Sequence, residues 1–226
     1  PQMEMEQSLD FAQYGQMLRM SEEGYRQQEI LRIVRTLPEN NTLRRVLDVG
    51  CATGLLGLSV IGDAPERRGV LFDQIPPQIM QESVARMGLQ DRAEVLQGNF
   101  LTDPVGVGYD LILAVSIMLF AKGNMEALLK KFYNALNPGG VLLIISEGIA
   151  PDFSEPWDMV TGYLPYYLNG MDMGVKKGKS QKQPEKPVSQ KWKLAWKPYV
   201  LVCKKSMSSV NKRIHINLLF FTKLSG

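Results

Sequence analysis

The chain has 226 residues, of which 45% are hydrophobic, enough to bury one sizeable core and too few for two full-size domains. Its net charge of +3 conceals an asymmetry: residues 1–175 carry 13 Lys and Arg against 22 Asp and Glu, residues 176–226 carry 13 against 1. With Cys51, Cys203 and the single histidine His215, a disulfide framework, a His-based zinc cluster and a Ser-His-Asp set are excluded, and a reducing cytoplasm is the expected compartment.

Residues 8–37 place apolar side chains at helical spacing (Leu9, Phe11, Tyr14, Met17, Leu18, then Ile30, Leu31, Ile33, Val34, Leu37). The spacing predicts two helices ending near Pro38 and lying over a cleft or the sheet, with Tyr14 and Met17 as candidate caps for a bound cofactor. From Arg44 the pattern changes to short β-branched runs alternating with helical stretches. Strands are expected at Arg45–Val49, Gly69–Phe72, Ala93–Leu96, Leu111–Val115 and Val141–Ile145, and helices at Leu55–Ile61, Pro77–Met87 and Met125–Leu136. Such alternation builds βαβ units, hence a Rossmann-like, doubly wound α/β fold with a mostly parallel sheet and helices on both faces. Gly62-Asp63-Ala64-Pro65, Thr102-Asp103-Pro104 and Asn137-Pro138-Gly139-Gly140 read as turns between these elements. The longest apolar stretch, Leu111–Ala121, is broken by Ser116 and falls well short of the roughly 20 residues of a membrane-spanning helix. The acidic start, with Glu4, Glu6 and Asp10, is unlike a secretory leader.

Three constellations carry chemistry. Val46-Leu47-Asp48-Val49-Gly50-Cys51-Ala52-Thr53-Gly54 runs a strand into a glycine turn and then a helix. Gly50 lets backbone approach a ligand and Gly54 allows close strand-helix packing. A diphosphate would want G-x-G-x-x-G and would be repelled by an acid at Asp48; D-x-G-x-x-x-G suits a cofactor made of a nucleoside, an amino acid and a sulfonium. Asp73 ends the next strand about 20 residues on, where a carboxylate accepts from both ribose hydroxyls of a nucleoside, with Gln74 beside it. Gly98-Asn99-Phe100 then offers an amide edge and a ring to adenine, or alternatively a turn residue and a core residue.

In this order, Leu47-Asp48-Val49-Gly50, Phe72-Asp73, Gly98-Asn99-Phe100, Asp110-Leu111, Pro138-Gly139-Gly140 and Ile145-Ser146-Glu147 resemble the catalytic domain of class I S-adenosylmethionine-dependent methyltransferases. The closest likeness is to small-molecule O-methyltransferases of the caffeate and hydroxyindole type. The resemblance implies S-adenosylmethionine as cofactor, with Asp48, Gly50, Cys51, Ala52 and Gly54 around its methionine end. It further implies Asp73 and Gln74 at the ribose, Asn99 and Phe100 about the adenine, and Val115 and Ser116 at the end of the fourth strand. Two departures bear on the reaction. Leu119-Phe120-Ala121 stands where the family has a His-Asp-Trp run with its catalytic base, and Asn99 replaces an Asp. Glu147 is then the candidate catalytic carboxylate, as base or orienter of the acceptor, against the plain alternative of a surface strand end.

These readings divide the chain into N-terminal capping helices (1–42), a methyltransferase domain (43–175) and a basic tail (176–226). The expected function is methyl transfer to a small molecule, without a metal ion and without a membrane, in a homodimer or alone. The alternatives are an RNA-directed enzyme using the tail, or a noncatalytic binding module. Nucleic acid is disfavoured because Ala114-Val115-Ser116-Ile117 lacks the Asn/Asp-Pro-Pro-aromatic run that holds an extruded base. The tail has a further reading. Joining the third base of each codon to the first two of the next, from Gly178 through Lys193, permits the peptide Glu-Ile-Ala-Glu-Ala-Ala-Arg-Lys-Ala-Gly-Phe-Thr-Lys-Val-Glu, a helix entering a strand. On this reading residues from about Lys179 onward are frame-shifted, Cys203, His215 and the tail's basic residues have no selected role, and the closing hairpin of the sheet is atypical or missing.

Overall fold

The computed structural model describes residues 19–20, 22–121, 124–146, 199–205 and 215–218. Within them the chain runs α1 (Tyr25–Thr36), β1 (Arg45–Val49), α2 (Leu55–Gly62), β2 (Arg68–Asp73), α3 (Pro77–Arg86), β3 (Ala93–Gln97), β4 (Tyr109–Val115), α4 (Met125–Ala135), β5 (Leu136–Ser146), β6 (Tyr199–Lys204) and β7 (His215–Leu218). The strands form one sheet in the order β3-β2-β1-β4-β5-β6-β7. The first five are mutually parallel, and β6 and β7 are antiparallel additions. This is the doubly wound, mostly parallel α/β sheet that the alternating pattern predicts.

The period of two along each strand sorts the core into two layers. Val46, Leu111, Leu113, Val141, Leu143 and Val202 face one side, packed with Ile30, Ile33 and Val34 of α1, Leu58 and Ile61 of α2, and Met80 and Val84 of α3. Leu47, Val49, Ile112, Ala114, Leu142, Ile144 and Cys203 face the other, against Leu128, Phe132 and Ala135 of α4. α2 lacks an apolar stripe because it is buried nearly all round, with β1 and β2 on one side and α1 on the other. The chain turns at the reversal of strand order, between β1 and β4, where open α/β sheets place their ligand crevice.

Several element ends shift by a residue or two from the sequence pattern, and three larger points stand out. Leu136, expected to end a helix, begins β5, and the Asn137-Pro138-Gly139-Gly140 run lies inside that strand instead of forming a free turn. The cause is a bulge: Tyr109 pairs with Leu136, then Leu111 pairs with Val141, so six residues of β5 span three of β4. A proline is tolerated at such a bulge, where its missing N–H breaks no ladder bond. Gly139 there takes φ 81° and donates to the Lys205 carbonyl at 3.0 Å. Of the two expected N-terminal helices, the second is α1; most of the first, including Tyr14 and Met17, lies outside the described residues.

The third difference is in the tail. Tyr199–Lys204 pairs with β5 over six residues, Ser146 opposite Tyr199 through Val141 opposite Lys204, and His215–Leu218 pairs with β6. The sheet therefore has its closing antiparallel pair, and it recruits residues beyond 175. Val202 (1% exposed) and Cys203 (4%) enter the two core layers from opposite faces of β6. Lys204 forms an ion pair with Glu39. Lys205 donates to the Leu136 carbonyl at 2.5 Å and lies 5.4 Å from the centre of the Tyr133 ring. Cys203, Lys204 and Lys205, read from the sequence as without a selected role, thus make contacts within the sheet and its core.

This packing predicts that Val202→Ala lowers the unfolding free energy by about 1–3 kcal/mol, the usual cost of emptying a buried aliphatic position. A denaturant titration with an unchanged midpoint would show that β6 is not part of the folded core.

Candidate functional site

A cleft opens at the C-terminal ends of β1, β2 and β4. Its floor is the turn after β1, whose backbone is bent through three left-handed residues: Gly50 (φ 64°), Ala52 (φ 50°) and Gly54 (φ 77°). Gly50 is held twice over, because a Cβ there would come 2.4 Å from Ile117 Cγ2 and 3.3 Å from Phe100 Cε1. Ala52 pays for a conformation that side chains disfavour, and the bend aims its N–H at Asp73 Oδ2, 2.7 Å away.

The carboxylates have distinct supports. Asp48 (2% exposed) sits within β1, in a row with Leu71 and Val95 on one side and Leu113, Leu143 and Val202 on the other. It accepts the Gly57 N–H of α2 at 2.8 Å, and a Cβ on Gly57 would lie 2.6 Å from the carboxylate. Burial pushes its carboxyl up to about 7, with Glu22 and Asp73 adding to the rise and the Gly57 N–H opposing it. Asp73 closes β2 and is pinned from both sides: Ala52 N–H donates to Oδ2 and Ile75 N–H to Oδ1 at 3.2 Å. Burial raises its carboxyl as well, against three backbone donors. Cys51, beside them, has its thiol raised well above the ordinary range by burial and by the three neighbouring carboxylates, which keeps it protonated and unreactive.

Of the residues singled out by sequence, Asp48, Gly50, Cys51, Ala52, Asp73, Gln74, Asn99, Phe100, Val115 and Ser116 all line this cleft. Gly54 does not; it starts α2 with its Cα against Leu71, where a Cβ would meet Cδ1 at 2.5 Å. Glu147 lies outside the described residues. Asn99 is partly committed, since its Oδ1 accepts the Leu101 N–H at 2.9 Å and its own N–H donates to Asp103 Oδ2 at 2.8 Å. Ser116 adopts φ 58°, and its hydroxyl oxygen is screened from solvent without a partner among the described residues. Leu119 falls in the 3-10 turn Met118–Ala121, next to Phe120, which is exposed at the cleft and meets the Phe100 ring edge-on at 6.4 Å.

Sequence reasoning missed Glu22 and Arg26. Glu22 (6% exposed) lines the cleft and accepts the Thr53 hydroxyl. Its carboxyl rises to about 7 through burial, with Asp73 adding and Thr53 and Arg26 opposing. The signal that existed was the polar run Arg19-Met20-Ser21-Glu22-Glu23-Gly24 interrupting an apolar helical pattern. Among the described residues no group of three or more His, Cys, Asp or Glu is placed to hold a metal ion, and no helix is long and apolar enough to cross a membrane.

Residues 47–142 match the family model described as a methyltransferase domain. The chain is 34% identical over 132 residues to demethylspheroidene O-methyltransferase of Rhodobacter capsulatus, covering 58% of this chain and 32% of that protein. It is 31% identical over 107 residues to L-tyrosine C(3)-methyltransferase of Streptomyces lavendulae, covering 46% and 29%. The chain thus spans about a third of the length of these relatives. Among solved structures it superposes on an O-methyltransferase family 2 protein from Planctomyces limnophilus in complex with apigenin, with a TM-score of 0.55, 24% identity, and 71% of this chain and 50% of that one covered. That likeness establishes the fold.

Burial of Glu22 and Asp48 has a thermodynamic sign. A carboxyl raised to about 7 in the folded state from about 4 unfolded holds its proton longer when folded. Its cost is absent below pH 4, grows as pH rises and is complete above 7. Ligand-free protein is expected to lose stability from pH 4 to 8, and Glu22→Gln to flatten that decline. Thermal unfolding across this range checks it; parallel curves for the two proteins would contradict it.

Proposed function

We propose that this chain, whose residues 47–142 match a methyltransferase domain, is a class I enzyme that transfers a methyl group from S-adenosylmethionine to a small-molecule acceptor. The observation that carries the reading is Asp73: a carboxylate at the end of β2, fixed by Ala52 and Ile75 backbone donors, opening onto a cleft floored by a left-handed glycine turn. These backbone bonds still leave lone pairs on the carboxylate for a vicinal diol. The Gly50-Cys51-Ala52 backbone would face the methionine end, Phe100 would lie against the adenine, and Asn99, its oxygen already engaged, would offer its NH2. The cofactor supplies an electrophilic methyl carbon on a cationic sulfur. The protein's part is to hold an acceptor in line with that carbon, which is worth much of the rate.

The acceptor side favours a nucleophile that needs little help. Leu119-Phe120-Ala121 brings no titratable group where a general base would stand, so an amine, a thiol, a carbanion or an acidic phenol fits better than an alcohol. Glu147 is the carboxylate proposed to orient such an acceptor or take its proton. We place the protein in the cytoplasm, in keeping with two free, buried cysteines. Nucleic acid is not its substrate on this reading. Lys204 and Lys205, the described lysines of the basic tail, are spent on Glu39 and on the Asn134 and Leu136 carbonyls and present no phosphate-binding face.

The tail is proposed to be composite: a frame-shifted stretch beginning near Gly178 that ends before Tyr199, from which β6 pairs in register with β5 and buries Val202 and Cys203. The gene is expected to encode Ala-Gly-Phe in the minus-one frame across codons 186–189. A stop codon early in that frame would dispose of the shift and make the basic segment genuine.

For the site, calorimetric titration is expected to show binding of S-adenosylmethionine and S-adenosylhomocysteine and none of NAD. Asp73→Ala should weaken both by about 1–3 kcal/mol, the cost of leaving hydroxyls unpaired. Affinity unchanged by this substitution would remove Asp73 from the site.

A further inference from the structure

The short segment ahead of α1 is tied outward by two ion pairs and turned inward by one residue between them. Arg19 grips Glu82 of α3 through two bonds of 2.8 and 2.6 Å, and Glu23 accepts from Arg86 of the same helix at 2.7 Å. Glu22 points the other way, into the cleft, where the Thr53 hydroxyl holds its carboxylate. The groups that face it are Asp48 on β1, Cys51 and Thr53 in the turn, Asp73 on β2 and Arg26 on α1. Among the described residues lining the cleft, three are carboxylates and one, Arg26, is a cation. Ser116, whose buried hydroxyl has no partner among the described residues, lines the same space, so the cleft is arranged for a ligand with both polar and positive character.

We propose that Glu22 is a specificity-determining residue by which the site distinguishes its charged sulfonium cofactor from the uncharged thioether product. The inference rests on the methyltransferase reading and adds to it. In the transfer, the acceptor's lone pair forms a bond to the methyl carbon, and the carbon–sulfur bond breaks with its pair retained on sulfur. The acceptor's proton, where it has one, leaves to a base or to water. The sulfur thereby loses one positive charge while three carboxylates stay where they were. In a partly desolvated cleft, three like charges facing the single described cation Arg26 repel one another strongly. Glu22 relieves this by taking up a proton, for which burial has already prepared it. Cofactor binding is then coupled to proton release and product binding is not, and turnover itself loosens the cleft's hold on the spent cofactor.

The test is titration of the full chain with S-adenosylmethionine and S-adenosylhomocysteine at fixed ionic strength from pH 5 to 9, with Glu22→Gln in parallel. The unaltered chain is expected to prefer the sulfonium increasingly as pH rises through 7. Glu22→Gln should lose about tenfold of that preference at pH 8, and the two proteins should converge toward pH 5, where Glu22 is protonated. Equal loss of both ligands in the variant, or an unchanged preference, overturns the proposal. A second measurement needs no variant: proton release by the unaltered chain at pH 7, from binding heats in two buffers of different ionisation enthalpy. More protons released with the sulfonium than with the thioether supports the proposal, and equal numbers overturn it. Binding of neither ligand by the unaltered chain overturns the methyltransferase reading and the proposal with it, an outcome distinct from binding both without preference.

Discussion

A single buried hydrogen bond, from the Gly57 N–H to the Asp48 carboxylate, sets the conditions for everything above β1. A carboxyl in the middle of a sheet row between Leu71 and Leu113, with Leu143 and Val202 beyond, is costly unless it is bonded. The partner comes from the first turn of α2, which must therefore lie close against β1. It does so because residue 57 has no Cβ. Helix propensity opposes glycine at this position, and the contact outweighs it. With α2 drawn in, the residues between strand and helix have little length to spare. They take the left-handed bends at Gly50, Ala52 and Gly54, and those bends turn backbone donors toward Asp73. Asp48 thus shapes the cleft whether or not it touches what binds there.

Strain and electrostatics converge on the same few residues. Ala52 and Ser116 are the described non-glycine residues with positive φ, and both line the cleft. Such conformations persist only where surrounding packing enforces them. Here Phe100 and Ile117 close over Gly50, and the Ile145 carbonyl holds the Ser116 N–H at 2.7 Å. The carboxyls pushed upward by burial, Glu22, Asp48 and Asp73, belong to this cluster as well. Perturbed acids and perturbed backbone in one crevice are what a binding site looks like before its ligand arrives.

Much of this was legible in the sequence, and for local reasons. Strands covered on both faces read as β-branched runs, and the D-x-G-x-x-x-G spacing carries its own turn geometry. Asp73 was found because a carboxylate at the end of a second strand has a fixed relation to the turn after the first. Glu22 was not, because its place depends on how a segment from outside the sheet folds back over the cleft through Arg19–Glu82 and Glu23–Arg86. No period announces such ion pairs. The start of β5 was misread for a related reason: Pro-Gly-Gly is a turn signal taken alone, and only pairing with Tyr109 and Lys205 makes it a bulged strand. The tail's composition likewise masked Tyr199-Val200-Leu201-Val202-Cys203, an apolar run set among lysines whose partner strand lies far away in sequence.

The pairing of Ser146 with Tyr199 also bears on how such a chain can change over generations. Ser146 and Tyr199, the described residues that bracket 147–198 in the chain, are directly opposed, and such positions in an antiparallel ladder stand only about 5 Å apart. A segment whose ends are pinned so close together is thermodynamically a cassette. Doubling its length costs only about 0.6 kcal/mol in closure entropy, so insertion, deletion or wholesale replacement there leaves the register of β5 and β6 intact. A lineage could therefore rewrite this stretch, even by a shift of reading frame, while inheriting the sheet and its crevice unaltered.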